Sequence, residues 1–424
     1  MPSPSPRPPL RVGLLGAGTV GSAVARAFID APERLAPFDG RRLVLAGVAV
    51  RDPARAVAAG IPEELLTDAP AHLVASPEVD LIVELIGGDE PARTLIAAAL
   101  AAGKPVVTAN KHVIAHHGPA LEALARSTGT PLRFEAAVAA GIPILGPLGA
   151  DLAANRVERI RGIVNGTTNF ILSAMTERRR AYEAVLLEAQ RAGWAEADPA
   201  GDVEGDDALN KLVILARLAF GEWLRPASIE RRPATANGLG RPGITGVTAE
   251  EVAAAAVHGL RFKLLVDARR AGEPGGHAID ATVQPVAVPA DSGFGRTSGS
   301  TNRIELDAEP VGRLDLSGPG AGGGPTSSAV LGDLLALAQG GGSTWAGLAP
   351  ASERASDASA PDGAIARRWF FQSVLPEQLI RDQLDLEVAA ADGFVTTSQT
   401  LDDLRGALAA LGIDATLYPI EVAA

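Results

Sequence analysis

The chain of 424 residues reads as an α/β protein of two or three domains. Three observations predict this. From residue 10 to 140, apolar strand-like runs alternate with helix-like runs, the pattern of a parallel sheet covered by helices on both faces. From 141 to about 317 the alternation gives way to helices followed by a cluster of strands, which predicts a second α/β domain with a mixed sheet. Residues 367–424 parse as β-α-β-β-α-β, a ferredoxin-like order.

In the first region "LRVGLLGAGTVG" is a strand running into a glycine-rich turn, and "SAVARAFIDA" a helix. "RLVLAGVAV" and "DLIVELIGG" are further strands, with a helix over 91–102. "KPVVTAN" is a strand, "LEALARSTG" a helix stopped by Gly129, and "PLRFEAAV" the start of one more strand. In the second region the strand "VERIRGIVNG" precedes helices over 176–193, 206–220 and 248–258. Four strands follow, "FKLLVDARR", "AIDATVQPVAV", "NRIELDAE" and "VGRLDLSG". A glycine-rich turn then opens a helix at 318–339. Residues 341–366, rich in Gly, Ser, Ala and Pro, predict a linker, and residues 1–9 a disordered tail.

Composition narrows the function. A formal charge of −12 argues against nucleic acid or an anionic membrane as partner. There is no cysteine, so disulfides and thiolate chemistry are excluded. The six histidines lack metal-binding spacing; only His112, His116 and His117 lie close together. No apolar run approaches the roughly 20 residues needed to span a bilayer, and the N-terminus lacks a signal-peptide core, so a cytoplasmic location is expected. Of 38 basic residues only Lys104, Lys111, Lys211 and Lys263 are lysines. Lysine can be tuned to lose its proton near neutral pH and arginine effectively cannot, so each lysine carries more information than usual.

Gly16-Ala17-Gly18-Thr19-Val20-Gly21 is a GxGxxG run between a strand and a helix. That context predicts a Rossmann-type dinucleotide site: Gly16 for the turn, Gly18 for close approach of pyrophosphate, Gly21 for helix–strand packing, and the helix start, with Thr19 and Val20, for the anion. At the end of the second strand, "VAVRDPAR" puts Arg51 before Asp52. The arginine favours NADP; Asp52 keeps NAD possible, though a helix cap before Pro53 is its simpler role. Asn110 and Lys111 stand just beyond a strand, where ligands of parallel sheets collect; a loop lysine in water is the alternative. Between Glu196 and Asp207 lie six carboxylates, Glu196, Asp198, Asp202, Glu204, Asp206 and Asp207, followed by Lys211. These could form a solvated turn, a divalent-metal loop without EF-hand spacing, or a pocket for a substrate ammonium. Asp207 and Lys211 share a helix face at i,i+4.

Taken together, "GLLGAGTVG", "TANKHVIA", "FEAAVAAGIPILGPL", "GIVNGTTNFIL", "EADPAGDVEGDDALNKLVILA" and "LSGPGAGGGPTSSAVLGDL" resemble homoserine dehydrogenase over about residues 10–340. The resemblance implies NAD(P)-dependent interconversion of L-homoserine and L-aspartate 4-semialdehyde, on the way to threonine, methionine and isoleucine. It implies Lys211 as general acid/base, Lys111 beside substrate and nicotinamide, and Asp207 orienting the lysine. It implies substrate binding by Glu196, Asp202 and the loop Asn165, Gly166, Thr167. A monovalent cation, Na⁺ or K⁺, is implied at Glu135 with the carbonyls of Val138, Ala140 and Ile142. The turn holding Gly320 and Gly322 is implied to return to the nucleotide domain, which then comprises 10–140 and about 318–340. The C-terminal unit resembles an ACT domain in element order, but its turn "SVLPEQ" lacks the glycine of an amino-acid site, which leaves a structural or oligomerisation cap as the alternative. A homodimer or higher oligomer is expected. Two other readings are a related amino-acid dehydrogenase and a regulator that binds nucleotide and amino acid without turnover.

Overall fold

The structure, a computed structural model, describes residues 8–36, 41–272, 277–359, 365–390 and 392–421. The N-terminal tail up to residue 7, and residues 360–364 of the linker, lie outside the described residues. The chain forms two compact units.

The first unit comprises Met1–Arg156, Val213–Leu224 and Pro319–Ser356. Its sheet contains β1 (Leu10–Leu15), β2 (Leu43–Ala49), β3 (Leu66–Thr67), β4 (Leu81–Glu84), β5 (Val106–Thr108) and β6 (Leu132–Arg133). All pairs are parallel, in the order β3-β2-β1-β4-β5-β6. The order reverses between β1 and β4, the switch point beyond whose carboxyl ends such sheets bind ligands. Val12, Leu14, Leu81, Val83 and Val107 form its core with Val330 and Leu334 of the helix Gly323–Ala338. That late helix closes the core of the first unit.

Two elements differ from the sequence reading. The helix before Gly129 runs Lys111–Thr128, starting well before Leu121. The weak helix formers His112, His116 and Gly118 disguise a start that the Asn110 side chain sets by accepting the Val113 N–H. The strand at "PLRFEAAV" ends after Arg133, because Asp333 captures the Glu135 N–H at 2.8 Å and a 3₁₀ turn, Glu135–Ala137, takes over. The unit also extends past residue 141 to Arg156. Its buried centre includes Arg217, fully enclosed and paired with Glu122 at 2.7 and 2.9 Å, while the Trp223 indole N–H donates to the same carboxylate at 2.8 Å. Gly118 is required there, since a Cβ would lie 2.4 Å from the Trp223 ring. The predicted linker is no free tether at its start. Trp345 is 1% exposed, its ring 5.1 Å from Phe134 and 6.3 Å from Trp223, and Ser343 Oγ accepts the Leu132 N–H.

The second unit comprises Val157–Leu212, Arg225–Gly318 and Asp357–Ala424. Its strands are β7 (Arg156–Ile163), β8 (Ala234–Thr235), β9 (Gly238–Leu239), β10 (Leu260–Arg270), β11 (Ile279–Pro289), β12 (Thr301–Glu309), β13 (Gly312–Pro319), β14 (Trp369–Gln372), β15 (Leu386–Ala390), β16 (Gly393–Thr396) and β17 (Thr416–Pro419). One sheet has the order β11-β10-β7-β12-β13, with β10 antiparallel to both neighbours. The single helix expected over 176–193 is two, Gly166–Arg178 and Tyr182–Arg191, broken at Arg179, whose φ of 50° is left-handed. The first was missed because "NGTTN" reads as a loop, whereas Asn165 caps a helix there.

The C-terminal β14 to β17, with helices Glu377–Arg381 and Leu401–Leu411, follow β-α-β-β-α-β in an antiparallel sheet, β15-β16-β14-β17, extended at one edge by β8 and β9. The two-residue strands β8 and β9 left no periodic signal in the sequence. This sheet shares its packing with β10. The Phe262 ring lies 4.3 Å from Tyr418 and 5.7 Å from Phe370, and the Tyr418 hydroxyl donates to Glu251 at 2.9 Å.

Candidate active site

In the first unit the turn after β1 has the shape of a phosphate cradle. Gly16 has φ 97°, and a Cβ on it would lie 2.7 Å from the Leu85 carbonyl oxygen. A Cβ on Gly21 would lie 2.0 Å from the Gly16 oxygen, so helix and turn can meet only at glycine. At Gly18 a Cβ would meet nothing within 4 Å, and the helix Thr19–Asp30 starts there with neither a side-chain cap nor an acidic residue in its first turn. Open space, unclaimed amide dipoles and no competing carboxylate are what a pyrophosphate requires. The helix Gly323–Ala338 begins beside it: a Cβ on Gly323 would lie 3.2 Å from the Thr19 oxygen, and Gly322 before it has φ 109°. Gly320 lies in the same turn, half-buried.

Beyond β2, Arg51 is exposed, while the Asp52 carboxylate accepts the Arg55 N–H at 3.0 Å and caps the helix Pro53–Ala58. Beyond β5, Asn110 donates to the Gly88 carbonyl at 2.8 Å, and half-buried Lys111 is the first residue of its helix. The sequence reading missed Glu84. This fully buried carboxylate ends β4 and accepts the Ile86 N–H at 2.7 Å and the Thr108 hydroxyl at 2.6 Å; Thr108 Oγ1 in turn accepts the Asn110 N–H. Glu84 thus ties the carboxyl ends of β4 and β5 together, on one side of the switch point. Its signal was a lone charge inside "LIVELI".

Glu135 directs both carboxylate oxygens at backbone amides, accepting from Ile144 at 2.7, Leu145 at 2.9 and Gly146 at 2.6 Å. Burial still pushes its carboxyl above the usual range. Val138, Ala140 and Ile142 are buried, and Ala139 and Ala140 have left-handed φ of 51° and 36°. Among the described residues no cluster of three or more His, Asp or Glu could hold a metal ion; His117 pairs with Asp89 at 2.7 Å. Nor, among them, is any helix long and apolar enough to cross a membrane.

In the second unit the structure gathers Asn165, Asp202, Asp207 and Lys211. The helix Asp206–Phe220 sets Lys211 one turn after Asp207. Lys211 Nζ donates to Asp207 Oδ2 at 2.7 Å and to the Val164 carbonyl at 2.6 Å, at the end of β7. Asn165 Nδ2 donates to Asp202 Oδ1 at 2.7 Å and to Asp207 Oδ2 at 2.8 Å. Burial first, then the charge of Asp207, pushes the Asp202 carboxyl above its usual range, while Asn165 and Lys211 pull it back. Lys211 is 8% exposed, so this ammonium is not surface decoration.

The rest of the acidic stretch is not drawn in. Asp206 pairs with Arg231, and Glu196 and Asp198 are exposed. Glu196 lies on a loop whose Trp194 carbonyl accepts the Thr167 hydroxyl at 2.9 Å and whose Trp194 ring packs 4.5 Å from Phe170. Gly166 is pressed against Ser300, where a Cβ would come within 2.9 Å of its carbonyl oxygen. Lys263, which the sequence reading gave no role, is 1% exposed and donates to Asn169 Oδ1, Ser173 Oγ and the Thr297 carbonyl at 2.8, 3.0 and 2.6 Å.

Comparison with known proteins gives the family of the chain. Residues 16–135 match the family model of the homoserine dehydrogenase NAD-binding domain, and residues 143–335 that of homoserine dehydrogenase. The chain is 41% identical over 339 residues to homoserine dehydrogenase of Corynebacterium glutamicum, covering 80% of this chain and 74% of the relative. It is 38% identical over 328 residues to that of Bacillus subtilis, covering 77% and 72%. The crystal structure of a homoserine dehydrogenase from Thiobacillus denitrificans superposes with a TM-score of 0.85 at 33% identity, covering 97% of this chain and 98% of that one. A hyperthermophilic archaeal homoserine dehydrogenase in complex with NADPH gives 0.63 at 27% identity, covering 77% and 97%. With its glycine cradle, its buried lysine–carboxylate cluster and these relatives, the chain belongs to the homoserine dehydrogenase family.

Proposed function

We propose that the chain interconverts L-aspartate 4-semialdehyde and L-homoserine with NADP, NAD being the weaker alternative. The observation that carries this is the buried Lys211 ammonium held between Asp207 and the Val164 carbonyl. When bound, the nicotinamide supplies or accepts the hydride. As negative charge grows on the aldehyde oxygen, Lys211 stabilises it and donates a proton, giving the alcohol; in the reverse direction neutral Lys211 takes the hydroxyl proton. Asp207 aims the ammonium. Asp202 and Glu196 attract the amino group of the substrate, and Lys111 is a second cation for substrate or nicotinamide. Gly16, Gly18, Gly21 and the start of the helix at Thr19 hold the pyrophosphate, and Arg51 the 2′-phosphate. The capping role of Asp52 supports the NADP preference, since its carboxylate already has a backbone partner.

A monovalent cation at the carbonyls of Val138, Ala140 and Ile142 belongs to the same reading. Its support is the left-handed backbone of Ala139 and Ala140, a conformation costing on the order of 1–3 kcal/mol per non-glycine residue. Glu135 would shape that loop through its three amide contacts. We read the C-terminal elements as ACT-like, and the assembly as a cytoplasmic homodimer or higher oligomer. Loss of NADPH absorbance on adding L-aspartate 4-semialdehyde tests the central reading. Binding of both without turnover would make the protein a sensor, and turnover of a different amino-acid aldehyde would move it to a related dehydrogenase.

A further inference from the structure

We propose that Asn165 is a positioning residue that clamps Asp202 and Asp207 into one fixed pair beside Lys211, a role distinct from touching substrate. The inference rests on Lys211 being the general acid/base. The orientation of the amide is set by chemistry. Oδ1 accepts the Thr168 N–H at 2.8 Å and the Thr168 hydroxyl at 3.0 Å, and a backbone N–H can only donate. The other end must therefore be the NH₂ group, and its donors go to two carboxylates on two different helices, Ala200–Val203 and Asp206–Phe220. Asn165 is 4% exposed, so water replaces neither bond at little cost.

Two buried carboxylates side by side repel each other and favour protonation of one. A shared neutral donor relieves this without supplying a cation that would compete with Lys211. Around Asn165 the charged groups include Asp202, Asp207 and Lys211; Asp206 turns to Arg231, Glu196 stands exposed on the neighbouring loop, and the helix Gly166–Arg178 presents the neutral Thr167 and Thr168. That helix is anchored one turn on, where Lys263 holds Asn169 and Asn169 Nδ2 donates to the Thr301 carbonyl at 3.1 Å. The clamp therefore has a fixed base.

Capping and clamping can be separated. Asp and Ser cap a helix about as well as Asn, yet neither can donate to two carboxylates at this reach. Asn165→Ser in the full chain should keep a thermal midpoint within about 3 °C of wild type, whereas Asn165→Asp, which adds a third carboxylate to the cluster, should lower it at neutral pH. In homoserine oxidation with NADP their kcat/KM should fall at least about tenfold near pH 6 and recover toward pH 9, because the carboxylates now protonate more easily. The acid limb should move up in the order wild type, Asn165→Ser, Asn165→Asp. On an Asp202→Asn background, where one carboxylate is gone, Asn165→Ser should cost much less than in the wild type.

Profiles within about twofold of wild type at every pH overturn the clamp and leave a helix cap. The same cost on both backgrounds, or failure of both variants to fold, overturns it as well. A wild type without turnover would instead remove the dehydrogenase reading, so the two failures are distinguishable.

Discussion

Lys211 Nζ lies 2.7 Å from Asp207 Oδ2, and only 10% and 11% of the two side chains is exposed. Pairs at i,i+4 on a helix surface contribute about 0.3–0.5 kcal/mol and are screened by salt. Here the pair is withdrawn from solvent, and the Val164 carbonyl accepts a second Nζ–H.

Replacing Lys211 by Met should therefore strike chemistry, not nucleotide binding. We expect kcat to fall at least about 10²-fold, with NADPH affinity by fluorescence titration nearly unchanged. Near-normal kcat would remove Lys211 from the mechanism.

Arg51 tests cofactor choice. It is exposed and stands at the end of β2, where a 2′-phosphate would be read. Arg51→Ala should raise KM for NADPH by about tenfold or more, with little change for NADH. Equal losses for both cofactors would sink the assignment.

The Glu122–Arg217 pair should hold the first unit together. Burial pushes the Glu122 carboxyl up, but Arg217, Trp223 and Arg126 outweigh it and leave it below the usual range. A depressed carboxyl contributes stability above its unfolded value, about 4.3, and loses it as pH falls through the folded value. Glu122→Gln should cost on the order of 3–5 kcal/mol at neutral pH in urea unfolding, and the deficit should shrink below about pH 4. A deficit independent of pH would contradict an ionised Glu122.

Lys263 gives a slope of the same sign in a higher pH window. Burial lowers its pKa from 10.5 to about 7. A lysine whose folded value is depressed carries its full desolvation penalty below about 7 and sheds it as pH rises toward its unfolded value near 10.4. Lys263→Met removes that penalty but strands Asn169, Ser173 and the Thr297 carbonyl. Its stability relative to wild type should thus worsen steadily from about pH 7 to about pH 10. A flat difference would show that Lys263 does not change charge in that range.

The fold was readable where pattern and chemistry agree. Alternating apolar runs located β1, β2, β4 and β5, and the GxGxxG spacing located the cradle, because only glycine fits at Gly16 and Gly21. The start of the helix at Gly166 was hidden because Asn-Gly-Thr-Thr is turn-like locally and becomes a helix start only when Asn165 caps it. The rarity of lysine pointed equally at four residues. Lys104 bonds the Val74 and Ser76 carbonyls at 2.6 Å and Lys263 is sealed in the second unit, so scarcity alone did not separate chemistry from support. The six-carboxylate stretch resolved into Asp202 and Asp207, gathered by Asn165, with Glu196 and Asp198 left outside. Which of them converge depends on a residue nearly forty positions upstream of Asp202, and no local spacing encodes that.

The first unit is assembled from three separate stretches, the last ending at Ser356, and its core needs the helix Gly323–Ala338. A ribosome releasing this polypeptide from the N-terminus cannot complete the nucleotide-binding half early. Most of the other half has emerged before the missing helix arrives. The first unit must therefore mature late, and chain stalled before that helix would present a bare apolar sheet face to chaperones.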